Sequence, residues 1–423
     1  MINLATNIME YAKHVCIKNL SKDNLWNMRK LLQIILLGII ISCSNDSKRE
    51  FTCQLLDIEQ AIENIESIYL SKYASSIRYI PLETSDSILI GDVSRYKMKK
   101  LNTDFYIYND NRSTQKFNPV LCFKLNGKFS HQIGSVGRSM KEFLTISNFI
   151  TDESKNEVII CDRDKLLAYD LNGNYLRSFD IFDGGLISFN AYSIDQNRYI
   201  YIQRKNFGSA LNNEAYSGSD ELIVTDSIGN ILYKLPLGCH NVKTRMINNK
   251  TSVDTKVASL YKINNRIKVL NSRDTIFGID LDNMSLIHDY YIDFGKYSAK
   301  ILPIEEAFME CENFIAINVL FDKYNFPTWD KKYMIAKIIY DKKRKKISTL
   351  KYNNNLSKAC FTNDLDGGIN FYPTYIKDGK MYQLVNAIDF IEMAEKSTSD
   401  RMKEVASQLT EDSNPVVVEV TLK

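Results

Sequence analysis

The sequence is poor in the residues from which most metal and catalytic sites are built. Its 423 residues include four histidines, two tryptophans and seven prolines. The eight cysteines form no Cys-x-x-Cys pair, and no histidine stands at a zinc-ligand spacing from any of them. The sequence also lacks a His-Glu-x-x-His motif and a nucleotide-binding glycine motif. These absences exclude the enzyme classes that such motifs define, and the sequence favours a binding protein over an enzyme.

An excess of one charge is absent as well. Of the 54 basic and 51 acidic residues, five basic and two acidic ones lie in residues 1–42, which leaves 49 of each sign from Cys43 onward. A neutral chain has no general attraction for a polyanion, so we predict no nucleic-acid partner.

Four cysteines lie in or beside apolar, strand-like runs: Cys122, Cys161, Cys311 and Cys360. A free cysteine in such a run behaves as a small buried hydrophobe. We therefore predict buried thiols at these positions, without a disulfide or metal framework.

Aromatic residues are abundant, with 25 tyrosines and 20 phenylalanines, and this composition favours β structure. Two segments repeat one pattern, LCFKLNGKFSHQI at 121–133 and LLAYDLNGNYLRSFD at 166–180. In both, a strand, an Asn-Gly turn and a second strand predict a hairpin with a two-residue type I′ turn. The repeats are about 45 residues apart, a spacing typical of a four-stranded propeller blade.

The rest of the chain extends this pattern to six units. After residue 386 the periodicity becomes helical, and Val416–Leu422 ends the chain as a strand that we expect to pair near the start of the fold. The prediction is an all-β, six-bladed β-propeller over 76–423 with a short helical insertion at 387–411. A pair of β-sandwiches is the competing fold, but the regular four-strand spacing and the lack of a central linker favour the propeller.

The N-terminal segment predicts export. Met28, Arg29 and Lys30 precede the apolar run LLQIILLGIIISC, as in a secretory signal peptide over 28–42. Its end resembles a bacterial lipobox, which predicts lipid attachment at Cys43 and a membrane-anchored location in the cell envelope, periplasmic or at the outer surface. Residues 1–27 are interpreted as an upstream extension or start-site artefact, and 43–75 as a tether with a short helix. The alternative is an uncleaved N-terminal anchor helix.

Two groups of residues are candidates for ligand contact. The loop at 324–329 offers aromatic side chains for a sugar or a peptide, namely Tyr324, Phe326 and Trp329. Asp364 and Asp366 lie on one face of an extended segment, an arrangement that could bind a cation such as Ca²⁺. The glycine-containing loop at 134–143 matches no phosphate-binding motif and is interpreted as a turn between blades.

Several segments together resemble a known family: IRYIPLETSD at 77–86, GSVGRSMKEF at 134–143, LAYDLNGNYLRSFD at 167–180, NDLDGGINFYP at 363–373 and DSNPVVVEVTLK at 412–423. They are similar to the six-bladed β-propeller lipoproteins of Gram-negative, Bacteroides-type bacteria, a family of unknown function, and the hairpins resemble NHL-type repeats. The resemblance implies a fold and export, and it implies no catalytic residue.

From these observations we expect an exported, lipid-anchored binding or scaffold module. Its expected partners are an extracellular glycan, a peptide or an envelope protein, together with the membrane that holds the anchor. The alternative is a propeller-type hydrolase, lactonase or lyase with a carboxylate and calcium site at the central channel.

Overall fold

The structure is a computed structural model that describes residues 53–109, 119–162, 165–180, 186–205, 216–247, 250–254, 258–263, 266–271, 274–302, 308–321, 335–353 and 358–423. These residues form six small sheets arranged as a six-bladed β-propeller, with helices near the C-terminus. The fold predicted from the sequence is confirmed.

The elements follow the chain from blade to blade. Before blade 1 come β1 (Gln54–Asp57), α1 (Ile58–Glu63), β2 (Ile65–Glu66), a 3-10 turn (Leu70–Lys72), β3 (Ala74–Pro81) and a second 3-10 turn (Val93–Arg95). Blade 1 contains β4 (Tyr96–Leu101), β5 (Asp104–Asn109), β6 (Val120–Lys124) and β7 (Phe129–Ile133). Blade 2 contains β8 (Asn148–Asp152), β9 (Glu157–Asp162), β10 (Lys165–Asp170) and β11 (Tyr175–Asp180). Blade 3 contains β12 (Leu186–Ser193), β13 (Arg198–Lys205), β14 (Tyr216–Asp226), β15 (Ile231–Ile247) and β16 (Lys250–Asp254).

The second half of the ring continues in the same way. Blade 4 contains β17 (Ser259–Ile263), β18 (Arg266–Asn271), β19 (Thr275–Asp280) and β20 (Ser285–Asp293), followed by a 3-10 turn (Gly295–Lys300). Blade 5 contains β21 (Ile301–Leu302), β22 (Phe308–Glu310), β23 (Phe314–Phe321), β24 (Ile335–Asp341) and β25 (Lys346–Leu350), and β26 (Tyr352–Asn353) pairs with β27 (Lys358–Ala359). Blade 6 contains β28 (Tyr375–Lys377), β29 (Lys380–Val385) and β30 (Val416–Leu422) together with β3. Between β29 and β30 lie α2 (Ala387–Glu395) and α3 (Asp400–Ala406).

The core is divided among the interfaces between blades. Six apolar clusters each join two neighbouring blades around the ring. In β5, Phe105 and Ile107 pack toward blade 6, whereas Tyr106 and Tyr108 pack toward blade 2. Because successive side chains of a strand point to opposite faces, a strand that packs on both sides reads as a continuous apolar run.

The chain termini close the ring in blade 6. β30 lies between β29 and β3 and is antiparallel to both, with Val420 opposite Ile77. The expected pairing of the C-terminal strand with the start of the fold is confirmed. It leaves the sheet ring without a break between the first and last blades.

The Asn-Gly hairpins differ from the predicted type I′ turns. In the hairpins at 121–133 and 166–180, Gly127 and Gly173 have φ of +84° and +85°, but the asparagines before them do not have a positive φ. The Gly173 N–H donates to the Asp170 carbonyl at 3.1 Å, and the Asp170 carboxylate accepts the N–H groups of the next turn residues. The loop is therefore a type I turn closed by a glycine bulge, one residue longer than predicted.

Part of the segment predicted as a tether with a short helix, residues 54–66, belongs to the blades. The expected helix is present but covers only Ile58–Glu63, where the Asp57 carboxylate accepts the Gln60 N–H at 2.8 Å as an N-cap. On either side of it, β1 and β2 add as parallel outer strands to blades 4 and 5. Residues 54–66 thus extend two blades that are formed by residues 259–350.

The helical insertion contains α2 and α3, within the predicted span. The Ser399 hydroxyl accepts the Met402 N–H at 3.1 Å and caps α3. Phe390 and Met402 are buried against the cluster between blades 5 and 6. The four cysteines named above are buried, as predicted.

Candidate functional site

The inner strands of all six blades surround a cavity of about 1120 Å³ in the central channel. Its lining comes from β4, β8, β12, β17, β22 and β28, the strands nearest the axis, and each of them contacts the next around the ring. The volume is slightly above that of most small-molecule sites, which are usually clefts of about 300–1,000 Å³. The cavity is therefore the candidate functional site.

Tyrosines from blades 1, 3, 4 and 6 form much of the lining: Tyr96, Tyr192, Tyr261, Tyr372 and Tyr375. The Tyr372 hydroxyl donates to Asn318 Oδ1 at 2.7 Å, and the Tyr375 hydroxyl accepts the Lys100 N–H at 3.4 Å. Burial raises the pKa of both phenols well above the ordinary value. Both phenols therefore remain neutral at physiological pH.

One lysine lies between aromatic rings of opposite blades. The Nζ of Lys99, on β4 of blade 1, is 5.5 Å from the ring centroid of Tyr375 in blade 6 and 5.9 Å from that of Tyr192 in blade 3. Both distances allow a cation–π interaction. The ammonium group is thus held inside the channel.

Two further lysines border the same part of the cavity. Lys377 at the end of β28 donates to the Lys100 carbonyl at 3.0 Å and pairs with Glu153, which lies in the turn after β8. Lys262 on β17 makes a long hydrogen bond of 3.5 Å to the Ser193 carbonyl. Burial lowers the pKa of Lys262, Lys377 lowers it further, and the nearby Glu153 and Asp152 oppose that shift.

Three of the six acidic residues of the lining pair with cations outside it. Asp195 pairs with Arg198 at 2.7 Å, and Asp378 pairs with Lys100 at 3.0 Å. Buried Glu310 pairs with two lysines, Lys268 of β18 at 2.8 Å and Lys342, which follows β24. Neither Arg198 nor these three lysines line the cavity. These cations therefore neutralise much of the negative charge of Asp195, Asp378 and Glu310 from outside the cavity.

The two predicted cation ligands lie away from this cavity and make different contacts. The Asp364 carboxylate accepts the N–H and the hydroxyl of Ser71 at 2.9 and 2.5 Å. Asp366 accepts the hydroxyls of Tyr79 at 3.1 Å and Ser399 at 2.7 Å, and so fastens the start of α3 to blade 6. Within the described ranges, no group of three or more His, Cys, Asp or Glu residues could hold a metal ion. Ca²⁺ at this aspartate pair stays a prediction.

The other predicted site residues fall outside the described part of the chain. These are Cys43 and the aromatic group of Tyr324, Phe326 and Trp329. Sequence reasoning also missed the channel lysines. A signal for them exists, because a tyrosine stands one or two residues before the lysine in the innermost strands of blades 4 and 6, as Tyr261-Lys262 and Tyr375-Ile376-Lys377.

Fold and cavity define a six-bladed propeller with a ligand-sized channel site. Residues 53–421 match the model of a family described as a domain of unknown function, DUF4934, and the chain belongs to that family. None of the curated proteins compared with the chain matches it. Among the described residues, no helix is long and apolar enough to cross a membrane.

Two solved structures of Bacteroides proteins match this chain. A Bacteroides fragilis protein described as exported has a TM-score of 0.59 at 16% identity, with 88% of this chain and 100% of that chain covered. A DUF4221 family member from Bacteroides vulgatus has a TM-score of 0.34 at 11% identity, covering 86% of this chain and 99% of that one. The first of these likenesses supports the propeller fold.

Proposed function

We propose that this protein is an exported, lipid-anchored propeller that binds an extracellular ligand, namely a glycan, a peptide or a partner protein, in its channel cavity. The observation that carries the proposal is the convergence of six inner strands on a cavity lined by tyrosines and lysines. An aromatic face covers the apolar side of a ligand, while hydroxyl and ammonium groups fix its orientation. A rigid ring of blades provides this arrangement before the ligand arrives.

Binding can be tested with the purified full-length chain against a panel of glycans and peptides. Tyr192→Ala removes a partly buried ring from the lining, and we expect the affinity for any ligand found to fall roughly two- to tenfold. Tyr291→Ala is the matched control, because Tyr291 is exposed on β20 and does not line the cavity. A panel without a single ligand, or equal affinities for the two variants, would contradict the proposal.

The anchor is proposed from the signal peptide and Cys43, and the Bacteroides fragilis protein of similar fold is likewise described as exported. A lipid on Cys43 would retain the protein in the membrane fraction. We expect Cys43→Ala to move it to the soluble fraction and to abolish labelling by a radioactive fatty acid. Cys53→Ala is the control, since Cys53 is an exposed free thiol ten positions later, and it should fractionate as the wild type does. Unchanged fractionation of Cys43→Ala would refute the anchor.

A further inference from the structure

Three lysines from three different blades border one part of the channel cavity: Lys99 of blade 1, Lys262 of blade 4 and Lys377 of blade 6. Lys99 lies against the rings of Tyr192 and Tyr375. Lys377 lies close enough to Lys262 for its charge to lower the Lys262 pKa. We call these three residues the lysine cluster. Like charges that line one cavity repel one another, so a counter-charge would stabilise their arrangement.

The described residues supply only part of that counter-charge. Glu153 pairs with Lys377, and its side chain is more than half exposed. Buried Asp152 accepts the N–H and hydroxyl groups of Ser154 at 3.0 and 2.6 Å and the Tyr199 hydroxyl at 3.2 Å. Lys262 forms no ion pair within 4 Å in the part of the chain that the structure describes. An anionic group in the cavity would meet an ammonium that has no carboxylate in direct contact.

Four further acids line the cavity, of which Glu312 is exposed in the turn after β22 and the other three are paired. Asp195, Asp378 and Glu310 pair with cations outside the lining, as described above. The lysine cluster therefore gives this side of the cavity a local positive potential, although the chain from Cys43 onward has no net charge.

We propose that the cavity binds an acidic saccharide, whose carboxylate or sulfate contacts the lysine cluster while its ring packs on the tyrosines of the lining. The inference rests on the proposed binding function and names its ligand class. A carboxylate and a sulfate offer the same chemistry to an ammonium group, since both are anionic oxygen acceptors of charge-assisted hydrogen bonds.

The shape of the site favours a saccharide over an acidic peptide. A peptide is usually bound as an added strand, as a helix in a groove or as an extended segment across a surface. Here six inner strands surround a cavity of about 1120 Å³, which suits a ligand of a few rings. Flat tyrosine faces beside hydroxyl donors also match the apolar faces and hydroxyl edges of a sugar ring.

The test measures calorimetric affinity of the full-length chain for four probes. These are a galacturonic acid trisaccharide, its methyl ester, a sulfated trisaccharide and a hexaglutamate peptide. The methyl ester keeps the rings and removes the charge, so we expect it to bind at least tenfold more weakly than the free acid. One or both anionic saccharides should bind, and the one that binds identifies the acidic group.

Three variants separate charge from structure. Lys262→Gln should weaken binding of the acidic saccharide about tenfold or more, because a hydrogen bond to a charged group is lost. Glu153→Gln should tighten it about two- to fivefold, because Lys377 loses its competing partner. Lys403→Gln, an exposed control on α3, should leave the affinity unchanged. A purely structural role for these residues would not produce opposite effects of Lys262→Gln and Glu153→Gln.

The outcomes distinguish this inference from the proposed function. One outcome is that neutral glycans or other peptides bind, that Tyr192→Ala weakens this binding and that Lys262→Gln does not affect it. In that case the inference fails and the binding function stands. Hexaglutamate binding without saccharide binding also overturns the inference. If neither these probes nor the wider panel binds, both proposals fail.

Discussion

Asn414 is a buried side chain that joins the C-terminal segment to the loop after β3. Its Nδ2 donates to the carbonyl oxygens of Glu83 and Ile88, both at 2.7 Å, and its Oδ1 accepts the Ile90 N–H at 2.7 Å. The side chain is 1% exposed. Because β3 and β30 close the ring, Asn414→Ala tests how far one polar residue supports the closure.

The expected loss follows from the three hydrogen bonds. Each contributes about 1 kcal/mol net, and a buried backbone group that loses its partner costs about 1–3 kcal/mol. Asn414→Ala should therefore reduce the free energy of unfolding by about 3–5 kcal/mol. Domains are commonly stable by about 5–15 kcal/mol, so a change of this size is readily measured.

Urea unfolding followed by circular dichroism gives the comparison. Asn283→Ala is the matched control, because this exposed side chain makes one hydrogen bond, from Nδ2 to Asp280 Oδ2 at 2.9 Å, and its loss should cost less than about 1 kcal/mol. Asn414→Asp keeps the shape and the Oδ1 acceptor but loses both donors, so it too should be destabilised. A value for Asn414→Ala within 1 kcal/mol of Asn283→Ala would refute the reasoning.

Three further predictions concern other parts of the ring. Gly127→Ala should reduce the free energy of unfolding by about 3 kcal/mol, because a Cβ there would lie 2.0 Å from the Pro81 carbonyl oxygen of the neighbouring blade. The control is Gly379→Ala, which has a similar positive φ but open space around it and should cost about 1 kcal/mol in the same urea assay. Glu310→Ala should lower the thermal midpoint and cost about 2–3 kcal/mol, since Lys342 loses its buried partner and Lys268 keeps only Asp289 at 2.7 Å; a loss below 1 kcal/mol would contradict this. Burial raises the pKa of Asp341, but hydrogen bonds from Lys72, a backbone N–H and a tyrosine outweigh it and hold the pKa below its ordinary value. The stability from this carboxylate is present at neutral pH and lost as pH falls through the lowered pKa, so Asp341→Asn should flatten the acid side of the stability–pH curve, and an unchanged slope would argue against it.

The repeat pattern predicts the fold well because it is local. A strand, a turn and a second strand are encoded within about 15 residues, and six such units with a terminal strand are enough to predict a closed propeller. The predicted type I′ geometry was wrong for both Asn-Gly repeats, since only the glycine of each takes a positive φ. In the second repeat the Asp170 carboxylate accepts N–H groups of the turn, but the first repeat forms the same loop with Lys124 at that position. At the last hairpin Asp378 and Gly379 both have positive φ and form a type I′ turn.

Pairings between distant segments could not be predicted in this way. β1 pairs with β20 and β2 with β25, so partners more than 200 residues apart decide that residues 54–66 extend two blades. Local periodicity identifies α1 between them but contains no information on which blade edge a two- or four-residue strand will join.

The channel site has the same non-local origin. Lys99, Lys262 and Lys377 lie in three units separated by more than 100 residues each, and they share a cavity only when the ring is closed. A ligand that contacts all three binds the closed ring and not the open chain, and it must therefore stabilise the fold by RT ln(1 + [L]/Kd). Closure by β3 and β30 and ligand binding are thus thermodynamically linked. An acidic saccharide at 100 times its Kd should return about 2.7 kcal/mol of the stability that Asn414→Ala removes.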